Sequence, residues 1–197
     1  MPNAVSRLLN FLRTTLLRPS VRYSLLALLG TGFIAGIAFI GGTHYTFEAT
    51  SSPGFCADAC HEMATVAAEY RQSAHYNNRS GVRADCADCH IPKPLGPKVE
   101  KKLLSAKELW GKITGSISTP EKFAAKRLEL AQHEWARMKA NDSRECRSCH
   151  QVQGMAADKQ TPRASAMHAM IGQDGQTCID CHKGIAHQLP ENIPDGE

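Results

Sequence analysis

Aromatic side chains are scarce in this 197-residue chain, at 6% of its residues. That is too thin a supply for a conventional packed core. Acidic residues are missing from the first 47 positions, where Arg7, Arg13, Arg18 and Arg22 stand without a counter-charge. Beyond them lie nineteen basic and nineteen acidic side chains, so the formal charge of +4 belongs entirely to the N-terminal stretch. A neutral remainder excludes a nucleic-acid binder, whose folded domain would be basic. No stretch alternates apolar and polar residues as a half-buried strand does. With 42% apolar and 21% charged residues, the chain is not a disordered one either. Its length fits one domain with a short appendage.

No cysteine stands alone. Cys56, Cys60, Cys86, Cys89, Cys146, Cys149, Cys178 and Cys181 form four close pairs, each followed at once by His61, His90, His150 or His182. Three pairs read C-x-x-C-H, and the first is longer by one residue, Cys56-Ala-Asp-Ala-Cys60-His61. C-x-x-C-H is the attachment signature of c-type haem: two thiols add to the vinyl groups and the adjacent imidazole reaches the iron. A disulfide framework or a zinc ribbon would use paired cysteines too, but neither explains a histidine after every second cysteine. The cysteines therefore predict four covalent haems.

Residues 23–42 carry no charge. At ~1.5 Å per helical residue they span ~30 Å, one hydrocarbon core. A cleaved signal peptide would have an apolar region of only ~7–15 residues followed by a small-residue cleavage site. Thr43-His44-Tyr45 is a poor site of that kind, so the run reads as an uncleaved anchor. The arginines before it put the N-terminus in the cytoplasm and the rest of the chain in the periplasm of a bacterial inner membrane. Gly32 and Gly36 make a small-xxx-small pair through which two anchors can pack as a homodimer.

The motif histidines are spaced 29, 60 and 32 positions apart, two close pairs separated by a longer gap. Ser73-Ala74-His75 precedes the second motif and Ser165-Ala166-Met167-His168 the fourth, at similar distances, which points to a duplicated two-haem unit. Between the halves, Val99, Leu103, Ala106, Trp110 and Ile113 form one helical stripe over 98–115. Thr119-Pro120-Glu121 opens a second helix running to about Lys139. Residues 62–77 form a shorter helical segment with Met63, Val66, Ala67 and Tyr70 on one face. The predicted class is mainly α: a single N-terminal transmembrane helix plus a compact helix-and-loop multihaem domain, with porphyrins in place of an aromatic core. The predicted divisions are a cytoplasmic basic N-terminus (1–22), a transmembrane signal anchor (23–42), a periplasmic tetrahaem cytochrome c domain (43–190) and a loose tail (191–197).

Each motif histidine supplies at most one iron ligand, so further ligands come from elsewhere. The matched placement of His75 and His168 marks them as distal ligands, and His187, just after the last motif, is similar. His44 and His133 read as bystanders.

An N-terminal anchor, a first motif continuing Cys60-His61-Glu62-Met63, HYNNRSGVRADCADCH (75–90), SAKELWGK (105–112) and DGQTCIDCHKGIAH (174–187) together resemble the NapC/NirT family of membrane-anchored tetrahaem cytochromes c. The resemblance runs from about residue 18 to 190 and is nearest to the type serving periplasmic nitrate reductase. It implies a membrane helix with a compact helical tetrahaem domain that oxidises membrane quinol and delivers electrons to a periplasmic reductase. It also implies that Met63 ligates the first iron, with the other face open toward quinol, while the motif itself offers His61 as the alternative ligand. Lys102 and Glu108 fall where related proteins place a quinol anchor and a proton acceptor. Read from the residues alone, Glu108 and Lys112 are an ordinary i, i+4 surface pair. The pattern departs from the family in the three residues between Cys56 and Cys60, and in Lys93, where nitrate-reductase partners often have histidine.

Three functions fit these features. The leading one is quinol oxidation coupled to a periplasmic nitrate or nitrite reductase. The second reverses the current, with a quinone reductase fed by a periplasmic cytochrome. The third, a terminal reductase acting at an open haem, lacks any further catalytic constellation. The cysteine arithmetic yields a direct expectation: the mass of the purified chain exceeds that of its polypeptide by four haems. A mass with three would show that the longer Cys56–Cys60 motif does not carry one.

Overall fold

The computed structural model describes residues 4–16 and 22–194; Arg18 and the last three residues of the expected tail lie outside them. The chain divides into two units, 1–47 and 48–197. The first holds α1 (Ala4–Leu16) and most of α2 (Leu25–Ala49). In α1, Val5, Leu8 and Leu9 recur at helical spacing and are exposed. None of the residues of α2 is buried, and the helix is long and apolar enough to cross a membrane. It runs seven positions past Gly42, because nothing in Thr43–Ala49 breaks a helix until Ser51, Ser52 and Pro53 arrive. Apart from the adjacent residues and the helix's own backbone, no described atom lies within 4 Å of a Cβ built at Gly32 or Gly36.

The second unit is a series of short helices: α3 (Pro53–Ala57), α4 (Ala64–Tyr70), α5 (Cys86–His90), α6 (Leu95–Leu104), α7 (Ala106–Thr114), α8 (Pro120–Ala140), α9 (Arg144–Arg147), α10 (Pro162–Ala169) and α11 (Cys178–Cys181). Among the described residues there is no strand. Ala67, Met138 and Ile179 are the apolar side chains buried there. A core of three such residues does not stabilise a 150-residue unit. What organises it is a set of tethers around the cysteine motifs.

The longest helix, α8, is the strut. Thr119 accepts a hydrogen bond from the Lys122 N–H, Pro120 occupies the first turn, and Arg137 and Lys139 favour the C-terminal end of the dipole. α11 packs on it, with Met138 and Ile179 buried and Lys139 Nζ 2.8 Å from Asp180 Oδ1. Where α8 ends, Ser143 takes a left-handed backbone (φ 49°), is fully buried, and its Oγ accepts the Ile179 N–H at 3.1 Å.

The two halves share a local device. At α5 the Asp88 carboxylate accepts the Asp85 N–H at 2.9 Å, and at α11 the Asp180 carboxylate accepts the Thr177 N–H at 2.8 Å. The second and fourth motifs thus begin with the same carboxylate reaching back to the helix start, which is the internal symmetry of the domain.

Two helical expectations need correction. The stripe over 98–115 is two helices, not one. The Ser105 N–H closes α6 on the Lys101 carbonyl, while the Glu108 N–H returns to the Ser105 carbonyl three positions back, and this tightened turn redirects the chain. Leu103, Trp110 and Ile113 are consequently exposed. The segment 62–77 is helical only to Tyr70, whose O–H then donates to the Ala84 carbonyl at 2.6 Å.

Replacing Ser143 with alanine leaves the Ile179 N–H buried without its acceptor. The expected loss is about 1–3 kcal/mol, read as a lower denaturation midpoint of the haem-loaded protein.

Candidate haem site

In α5 and α11 both cysteines of a motif lie on one short helix, three residues apart and so on one face. In the third motif the Cys149 and His150 N–H groups both fold back on the Cys146 carbonyl, at 3.2 and 2.8 Å. The first motif differs. Cys56 sits in α3, the helix stops at Ala57, and Cys60 is extended (φ −123°, ψ 111°) before a 3₁₀ turn over His61–Met63. The extra residue is absorbed by leaving the helix.

The motifs neighbour one another in chain order. α5 packs against both α3 and α9. The Cys56 and Cys86 thiols interact directly, which together with burial pushes Cys56 up; the same contact pulls Cys86 down to about 6 against its own burial. Burial raises Cys89 to about 11, with Cys146 adding to the effect. Burial raises Cys146 as well, helped by Cys178. First, second, third and fourth motifs form an unbroken series.

Three pairs of imidazoles face one another. His75 and His150 have ring centres 6.1 Å apart, His90 and His187 6.2 Å, and His168 and His182 6.0 Å. An imidazole nitrogen bonds a metal at ~2 Å and lies ~1 Å from its own ring centre, so two imidazoles on opposite sides of one ion have centres ~6 Å apart. The donor set therefore fits iron between each pair. Each pair joins one motif histidine to one histidine singled out in the sequence as a distal candidate. Two of the pairs cross between the halves.

The surroundings hold these rings in place. Burial lowers the pKa of His75 and His187, favouring the neutral imidazole that binds metals. The Nδ1 atoms of both are buried without a hydrogen-bond partner. His168 Nδ1 lies 2.6 Å from Gln160 Oε1, and His90 Nδ1 lies 2.9 Å from Glu134 Oε1. Burial alone would raise Glu134, but hydrogen bonds from His90 and Arg137 and the charge of Lys101 hold it well below the carboxylate range. Arg127 clamps Glu69 with two bonds of 2.8 and 2.7 Å and reaches the Gln188 carbonyl at 2.6 Å. The Gln188 N–H in turn donates to Glu69 at 3.1 Å. This fixes the residue next to His187.

The first motif has a different neighbourhood. His61 is exposed, its Nε2 3.4 Å from Glu62 Oε1, and it faces no second imidazole. Met63 is 38% exposed. Lys98 and Lys102, one turn apart on α6, reach Glu48 at 3.3 Å and both the carbonyl and hydroxyl of Thr50 at 2.9 Å. Burial lowers the Lys102 pKa, and the Cys56 thiol opposes that shift. Lys112 interacts with Cys60, which raises its pKa, and stands 3.5 Å from the buried Glu62. The surface pair of Glu108 with Lys112 is thus not formed: Lys112 turns to Glu62, and Glu108 is exposed on α7. His133 is exposed on α8, and His44 lies in α2.

The NapC/NirT cytochrome c family, N-terminal region, matches residues 18–192. The chain belongs to the NapC/NirT cytochrome c family. It is 54% identical over 179 residues to the denitrification system component NirT of Stutzerimonas stutzeri, covering 90% of this chain and 89% of that protein. It is 52% identical over 191 residues to the cytochrome c-type protein NapC of Escherichia coli K12, covering 96% and 92%. To the cytochrome c-type protein TorC of the same strain it is 51% identical over 175 residues, covering 88% of this chain and 45% of the longer relative. No solved structure matches the chain. This NapC/NirT protein is a membrane-associated electron carrier, anchored in the inner membrane by one N-terminal helix, with a periplasmic domain whose cysteines suit covalent c-type haem.

Glu134, Gln160, Glu69, Arg127 and Lys112 were not marked by their sequence positions as neighbours of these motifs. Glu134 is 44 positions from His90 and Arg127 is 58 from Glu69, so no local spacing reveals either. Arg127→Ala is expected to free the segment carrying His187 and convert one low-spin iron centre to high spin. Paramagnetic resonance checks this, with Lys126→Ala as the unaffected control.

Proposed function

We propose that the protein oxidises quinol at the periplasmic face of the inner membrane and passes electrons singly to a periplasmic reductase of nitrogen oxides, with nitrate reductase the acceptor its resemblance favours. The observation that carries this reading is the contrast between the motifs. Three offer facing imidazoles ~6 Å apart, the spacing of a closed metal site. The first offers none and is flanked by Lys102, Lys112 and Glu62.

Four haems would be held by Cys56 and Cys60, Cys86 and Cys89, Cys146 and Cys149, and Cys178 and Cys181. His90 with His187, His150 with His75, and His182 with His168 would supply the imidazoles that hold three of the irons. Met63 serves the first site and His61 remains outside the ligand set. Bound c-type haem supplies reversible one-electron iron chemistry whose potential follows its axial ligands.

The chain's own groups handle the quinol. Cys56 is seven positions beyond the end of α2, so the linking segment reaches at most ~25 Å and quinol can approach the first motif from the bilayer. Lys102 hydrogen-bonds a quinone oxygen and stabilises negative charge as it develops there. Glu108, not engaged by Lys112, accepts a quinol proton. Residues 1–22 stay on the cytoplasmic side, 23–42 anchor the chain and 43–190 hold the haems.

Glu108→Gln keeps size and hydrogen bonding but removes the base. Quinol-driven haem reduction is expected to slow at least ~10²-fold, the usual worth of general-base catalysis, while dithionite still reduces all four haems. Unchanged quinol kinetics with intact haem content would remove Glu108 from the reaction.

A further inference from the structure

The three imidazole pairs differ in what their outer nitrogens meet. His168 Nδ1 meets the neutral amide oxygen of Gln160 at 2.6 Å. The Nδ1 atoms of His75 and His187 are buried without a hydrogen-bond partner. His90 alone among these has a carboxylate within hydrogen-bond distance of its outer nitrogen: Glu134 Oε1 at 2.9 Å, on a side chain 22% exposed, whereas Glu69 Oε2 stands 4.0 Å from His187 Nδ1.

The carboxylate is itself held from two further sides. Arg137 donates to the same oxygen through Nε at 3.0 Å and Nη2 at 2.7 Å, while Lys101 Nζ stands 3.6 Å from Oε2. Arg137 also donates to the Cys89 carbonyl at 3.1 Å and lies 3.4 Å from the buried Glu145. Arg137 and Lys101 with Glu134 and Glu145, and Arg144 4.0 Å from Glu145 at the edge, form a charged cluster that runs from His90 to the carbonyl of a haem-attachment cysteine. Nothing in the attachment chemistry demands that cluster. It fixes the ring plane of His90, and it places negative charge on the side of the imidazole opposite the metal-binding nitrogen.

We infer that Glu134 is a positioning residue that orients His90 and makes the His90–His187 centre the most reducing of the three histidine-paired centres. This rests on the reading of His90 and His187 as one ligand pair. The direction follows from charge. Ferric iron carries one more positive charge than ferrous iron, so a carboxylate behind its ligand stabilises the oxidised form and strengthens the imidazole as a donor. Removing that carboxylate leaves Arg137 and Lys101 facing Glu145 alone, a net gain of one positive charge beside the iron. Both changes favour reduction.

The test is a spectrally resolved redox titration of the purified, haem-loaded protein. In Glu134→Gln one low-spin centre is expected to become easier to reduce by at least tenfold in its equilibrium constant, about 59 mV for one electron, with the other centres unmoved. Glu134→Asp, which keeps the charge, restores most of the original potential. Four unchanged potentials in Glu134→Gln with full haem content would overturn the inference. If that variant loses a haem, Gln160→Glu decides: a charged acceptor on His168 lowers the potential of the His168–His182 centre, and no shift there overturns the logic. Failure of the underlying ligand reading looks different, because the unaltered protein would then show fewer than three low-spin centres.

Discussion

Facing imidazoles about 6 Å apart are the constraint on which the remaining architecture depends. Two rings can be held at that separation only if the segments carrying them are braced from outside, because rings so far apart do not touch. The bracing is polar. The Arg127–Glu69 clamp grips the residue after His187, and Glu134 and Gln160 orient His90 and His168. Apolar burial is minor by comparison, with Ala67, Met138 and Ile179 as its members among the described residues. The domain is thus a frame of short helices and buried ion pairs built around prosthetic groups. The partly buried Glu134 and Glu145 are tolerable there because each is matched by a cation.

What the sequence made legible was the covalent and periodic part. Cysteine spacing marks haem attachment because vinyl addition and iron ligation demand adjacent thiols and imidazole. The anchor is legible because hydrocarbon thickness fixes its length. The helix from Pro120 was readable from its cap, since Thr119, Pro120 and Glu121 act within one turn. The histidines that face motif histidines were visible through the duplication, as His75 and His168 stand at matched offsets from the motifs that follow them. Their partners were not. Local offset pairs His75 naturally with the second motif, yet it faces His150 of the third. That choice is made by tertiary packing of α5 between α3 and α9, which no offset records.

The break at Ser105 shows the same limit at smaller scale. A stripe at steps of three and four is what one amphipathic helix or two consecutive ones would both present. A single backbone turn at Ser105 separates them and changes which way Trp110 and Ile113 point. Likewise the i, i+4 spacing of Glu108 and Lys112 permits a pair, but the buried Glu62 offers Lys112 a partner with less competing water. Spacing lists the available contacts, and desolvation selects among them.

The crossing of His75 to His150 and of His90 to His187 has a consequence for biogenesis. A chain that emerges N-terminus first presents His90 ninety-seven residues before His187, and His75 seventy-five residues before His150. On the proposed ligand pairing, the first half cannot complete its coordination until the second is exported, whereas His168 and His182 face one another within the second half. The repeat that looks separable in sequence is topologically interlocked, so a severed half would carry one motif histidine, His90 or His150, whose facing imidazole resides on the missing piece.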